Sequence, residues 1–197
     1  MDRIIPLFMV LILGCASSLK IGETKLVETS NNKEDWVKED KDFYIKEGIM
    51  YFRSMITNRK DLAFAKREAK AEAVKNIAEE INIRVRGEFD QAAKGTNVDE
   101  KGLSQFSSDA VSWITENLNI QGLSPSNSYW EKYKKRINLG YDYYYDVYVL
   151  VRMSEGDYYE NRKRAIEELA KRYREQNNKA AQDVLEQLKD RLLKEQQ

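Results

Sequence analysis

The sequence predicts an α+β domain, with about four strands in an antiparallel or mixed sheet, two packed helices and a long C-terminal helix. Three observations carry that prediction. Alanines and isoleucines recur every three or four residues over 61–80. Polar and apolar residues alternate strictly in several stretches. A charged, amphipathic run of nearly forty residues closes the chain, about 57 Å long if wholly helical.

The first feature in order is residues 4–13, an uncharged apolar block followed by Gly14 and Cys15. Ten helical residues span about 15 Å, half a bilayer core, too short to cross it stably. An apolar block of this size at the N-terminus reads as a secretory leader. Ile12-Leu13-Gly14-Cys15 resembles the bacterial lipobox, which implies cleavage between Gly14 and Cys15 and acylation of Cys15. Residues 1–14 are then the signal peptide, and 15–34, rich in Ser, Thr, Lys, Glu and Asn, a flexible tether with a short extended piece at Lys25–Val27. By the enterobacterial sorting rule, Ala16 implies transport to the outer membrane, on its periplasmic face.

The α+β domain is predicted over 35–154. Trp36, Val37, Phe43, Tyr44 and Ile45 supply apolar anchors, Gly48 a turn, and residues 49–56 a strand. A helix over 61–80, capped by Asn58 with Asp61, buries Leu62, Ala65, Ala69, Ala73, Ile77 and Ile81. Ile81, Ile83, Val85 and Phe89 alternate with Asn82, Arg84, Arg86 and Glu88, the period of a strand. Residues 90–101 read as a loop and 103–118 as a second helix. Residues 129–139 and 141–153 alternate again, and Asn138-Leu139-Gly140 supplies hairpin turn chemistry. Ser154 with Asp157 caps the last helix, within 155–197. Its apolar residues recur at eleven-residue intervals, interrupted at Asn177-Asn178.

Trp36-Val37, Gly48, a strand, alanines four apart and an Ile-x-Ile-x-Val run together resemble the LPP-twenty bacterial lipoprotein family. A similar domain begins the flagellar outer-ring protein FlgT. The resemblance spans 36–153 and implies helix packed on sheet, in an envelope lipoprotein of structural or assembly character.

Composition narrows the chemistry. The chain has 33 basic and 33 acidic residues, which gives no bias toward nucleic acid. It has no histidine and a single cysteine, so neither a Ser-His or Cys-His pair nor a soft metal site is available. Asp142 and Asp146, four apart on a strand, lie about 13 Å from each other, too far for paired-carboxylate glycoside chemistry. The expectation is a non-enzymatic protein without metal or cofactor.

Two binding readings stand. In the first, Val184, Leu188 and Leu192 form a helix face for an envelope protein or a second copy of the chain, the alternative being that residues 180–193 fold back on their own domain or fray. In the second, Trp130, Lys132, Lys134, Arg136, Tyr144 and Tyr148 form an aromatic and basic sheet face for a partner or for peptidoglycan.

Overall fold

The computed structural model describes residues 19–39, 41–93, 112–114, 118–176 and 178–195. The fold is α+β. Five strands, β1 (Thr24–Thr29), β2 (Phe43–Lys46), β3 (Ile49–Arg59), β4 (Ser124–Ile137) and β5 (Gly140–Ser154), form one sheet. Their order is β1-β4-β5-β3-β2, with every pairing antiparallel. The described helices are α1 (Asp35–Lys38), α2 (Leu62–Ala93), α3 (Glu155–Glu175) and α4 (Lys179–Glu195).

Two tight turns organise the strands. Glu47 and Gly48 both have positive φ, 54° and 72°, as a two-residue hairpin of right-handed twist requires between β2 and β3. Asn138 and Leu139 close the β4–β5 hairpin, with Ile137 opposite Gly140. β1 contains the extended piece expected at Lys25–Val27 and corrects the rest of the expected tether by ordering Thr24–Thr29 on the sheet. Thr24–Thr29 pairs with β4 as an edge strand, because its backbone can satisfy its hydrogen bonds there.

The larger correction concerns residues 81–89, expected as a strand. They continue α2, as do 90–93, expected as loop. Ala65, Ala69, Ala73, Ile77, Ile81, Val85, Phe89 and Ala92 are all buried, while Ile83 is 65% exposed. Ile81, Val85 and Phe89 fit both periods, and the four-residue series inherited from Ala65 prevails. Each four-residue step rotates the stripe by about 40° on a helix of 3.6 residues per turn. The stripe therefore winds round α2, from the sheet toward the α3–α4 hairpin.

The small residues stand where α2 lies closest to the sheet. There the Ser54 hydroxyl donates to the Ala69 carbonyl (2.5 Å) and Asn76 Nδ2 to the Arg53 carbonyl (3.3 Å). Asp61, rather than Asn58, caps the helix, accepting from the Phe64 amide at 2.7 Å. Arg59 grips Glu68 through both Nε and Nη2, each at 2.7 Å, and ties the end of β3 to the start of α2.

The single long C-terminal helix is instead two. Ser154 caps α3 by accepting from the Asp157 amide (2.9 Å), and Asn178 caps α4 by accepting from the Ala181 amide (3.1 Å). The chain reverses between them, and Gln182 Nε2 donates to the Tyr173 carbonyl at 3.0 Å. The core therefore holds Ile166, Leu169 and Tyr173 of α3 with Ala181, Val184, Leu185 and Leu188 of α4. Of the expected second helix, residues 112–114 are helical, with Ile114 buried in the same core; the rest of 103–117 lies outside the described residues.

Candidate functional site

The hairpin turn fixes which side chains share a face. With Ile137 opposite Gly140, even-numbered residues of β4 lie beside odd-numbered residues of β5. Trp130 faces Val147, Lys132 faces Tyr145, Lys134 faces Tyr143, and Arg136 faces Tyr141. Tyr148 faces Tyr129, and Tyr144 faces Tyr133, on the other side of the sheet. The six residues expected to make one surface therefore divide four and two.

The face of Trp130 is the helix-covered one, yet the hairpin runs on past the core. Trp130 and Tyr145 are its last contacts with the packed interior, edge to face with centroids 5.7 Å apart. Beyond them a ladder of cations and tyrosines opens to solvent. Lys132 Nζ lies 5.8 and 5.7 Å from the Tyr143 and Tyr145 rings. Lys134 Nζ stands 3.7 Å, and the Arg136 guanidinium 4.9 Å, from the Tyr141 ring. Tyr141 and Tyr143 are both exposed. From β1, Glu28 reaches Lys132 at 3.4 Å; the Glu28 hydrogen bond is the leading cause raising the Lys132 ammonium above its ordinary pKa.

The opposite face is closed. Tyr148 is buried with Tyr129 and Leu150 under Trp36 and Val37 of α1, so its ring cannot stack on a ligand. Tyr144 is half-buried, stacked on Tyr133 with centroids 5.3 Å apart. At the centre of this face sits the buried carboxylate of Glu131. It accepts from Tyr129 (3.1 Å), Tyr133 (2.7 Å) and Lys33 (3.0 Å), and Lys33 Nζ also lies over the Tyr129 and Tyr148 rings. Burial alone would push Glu131 up; hydrogen bonds from Tyr133 and Lys33 outweigh it and hold the carboxyl below its ordinary range. Burial, reinforced by the hydrogen bond to Glu131, pushes the Tyr133 phenol far up. This network pins residues 29–38 to the sheet. The signal available for it was a lone acidic residue in a tyrosine-rich strand.

Glu131→Gln removes the charge from three donors and is expected to cost about 1–3 kcal/mol at neutral pH. Because the folded pKa of Glu131 is lowered, its contribution is present above the unfolded value of about 4.3 and is lost as pH falls through the folded one. Urea titrations of the wild type and variant should therefore converge as the pH falls below the ordinary carboxylate range.

Asp142 and Asp146 line one hollow with Thr57, Asn58, Lys60, Lys135 and Tyr144. Both are engaged: Asp142 pairs with Lys60, and Asp146 accepts from the Asn58 amide at 2.9 Å. Val184 and Leu188, expected to face a partner, are buried in the chain's own core. That corrects both the partner-helix reading and self-association through this stripe. The hydrophobic effect is satisfied within the chain because α4 packs back against α3 and α2. Gly14, Cys15 and the Leu192 side chain lie outside the described residues.

The comparisons that bear on this geometry are with family models, curated proteins and solved structures. None of them matches. The reading of the surface rests on its own residues. Among the described residues, no helix is long and apolar enough to cross a membrane.

Proposed function

We propose that this chain is a bacterial envelope lipoprotein, acylated at Cys15 and held on the periplasmic face of the outer membrane. Its role is non-enzymatic: a scaffold that engages envelope proteins, as the LPP-twenty resemblance implies. The observation that carries the reading is the sole cysteine, placed directly after a short apolar block and a small residue. Each buried methylene contributes about 0.8 kcal/mol, and more than one acyl chain makes the attachment stable. The anchor then raises the effective concentration of the folded body for partners in the same membrane.

The open ladder of Lys132, Lys134, Arg136, Tyr141 and Tyr143 is the surface best suited to an acidic partner. Its tyrosine rings are exposed, its cations half-buried against them, and the sheet pre-arranges both. The exposed rings of Tyr141 and Tyr143 also favour a second reading, in which they stack on peptidoglycan sugars. Co-sedimentation with purified peptidoglycan, lost in Tyr143→Ala, would select that second reading.

Cells grown with labelled palmitate are expected to yield labelled protein. Cys15→Ser should abolish labelling and its firm retention in the membrane pellet after leader processing. An unlabelled wild-type chain would overturn the anchor.

A further inference from the structure

The hairpin end of the sheet carries an apolar tip that the ladder does not account for. Leu139 is 97% exposed and Ile21 71%, and Ile137 is exposed beside them. They surround one shallow hollow with Gly22, Lys135, Arg136 and Asn138. Two backbone hydrogen bonds hold the N-terminal segment against the hairpin, Gly22 amide to Arg136 carbonyl (2.8 Å) and Arg136 amide to Glu23 carbonyl (3.0 Å). Three aliphatic side chains, one from the N-terminal segment and two from the β4–β5 hairpin, thus form a single exposed cluster.

Its surroundings say what covers it. Lys20, Lys25, Lys134, Lys135 and Arg136 stand around or just behind the cluster. The acidic groups nearby are already engaged: Glu23 accepts from the Lys20 amide at 2.7 Å, and Asp142 pairs with Lys60. Exposed Tyr141 and Tyr143 follow one step back from the tip. Aliphatic tip, cationic collar and tyrosine belt is the order of chemistry met on crossing from a bilayer's acyl boundary through its headgroups to water.

Chain length supplies the second constraint. Five residues separate Cys15 from Ile21, and the six Cα–Cα steps between them reach at most about 20 Å when fully extended. Whatever course they take, acyl chains on Cys15 hold Ile21 within that distance of the lipid. The sheet is far longer, since β5 has 15 residues and spans about 45 Å. The hairpin tip, and not the opposite end at Lys46–Gly48, is therefore the end kept at the membrane.

We infer that Ile21, Ile137 and Leu139 dip into the interface of an anionic bilayer, with Lys135 and its neighbours on the lipid phosphates. The contact would stand the sheet upright on the membrane and set the direction in which the ladder faces. The inference rests on the lipoprotein reading.

The test uses the full acylated protein, extracted and reconstituted into vesicles of phosphatidylcholine with phosphatidylglycerol. Cys15 is capped by lipid, so Leu139→Cys and Lys46→Cys each present one thiol for an environment-sensitive fluorophore. At residue 139 the emission is expected to shift to the blue. Quenching by spin-labelled acyl chains should be several-fold stronger there than at residue 46. Lys135→Glu, at an exposed site, should weaken the quenching at 139 while leaving circular dichroism unchanged. A water-like emission at 139, or equal quenching at both positions, overturns the inference, as does a tip that crosslinks to protein and not to lipid. Palmitate present with a wet residue 139 overturns this inference alone. Palmitate absent overturns the functional reading as well.

Discussion

A chain ending at Gln176 is expected to lose cooperative folding. Removing α4 takes Val184, Leu185 and Leu188 out of the core, each essentially inaccessible to solvent. Burying one such side chain stabilises by about 1.5–3 kcal/mol. Three of them amount to much of the 5–15 kcal/mol that holds an ordinary domain together. The deletion also uncovers Ile166, Leu169 and Tyr173 on α3. Urea denaturation followed by circular dichroism should show a broad, non-cooperative transition. A sharp transition at the wild-type midpoint would mean that α4 is dispensable to the fold, which would return it to the role of a partner helix.

The second large effect separates the two periods that compete over 81–89. Phe89→Ala leaves a cavity at a fully buried ring and is expected to cost about 3–5 kcal/mol. For a domain of this size that corresponds to a fall of about 6–20 °C in Tm. Ile83→Asp, on the exposed side of the same helix, should stay within about 0.5 kcal/mol of the wild type. A strand would put Ile81, Ile83 and Val85 on one buried face, and Ile83→Asp would then be as damaging as Ile81→Asp. Thermal melts of the two variants decide between these patterns.

Where the sequence was legible, a single period dominated. The alanine stripe, the β3 run and the hairpin with its Asn138-Leu139 turn all stand where the spacing puts them. Residues 81–89 were ambiguous because positions four apart satisfy both a strand and a helix. Only Ile83 and the burial of its neighbours resolve it. The division of Trp130, Lys132, Lys134 and Arg136 from Tyr144 and Tyr148 was in principle readable. A two-residue turn pairs 137 with 140 and so sets the parity of every rung back to Asn127, but alternation within each strand does not state it. β1 was legible only as a short extended piece at Lys25–Val27, since an edge strand is held largely by backbone hydrogen bonds that sequence pattern does not encode. Nothing in the local pattern marks Glu131 as buried; only the fold closes Tyr129, Tyr133 and Lys33 around it.

By itself the sequence determined the chemical inventory: one cysteine after an apolar block, no imidazole, and tyrosines interleaved with cations on adjoining strands. It determined the local periods as well, because these follow from backbone geometry within a few residues. Tertiary structure alone decided which apolar stripe meets which. It turned the last helix back into the core, closed one tyrosine face and left the other open, and brought Ile21 beside Leu139. The reason is that burial is settled by competition among surfaces distant in the chain, and no local pattern records the outcome.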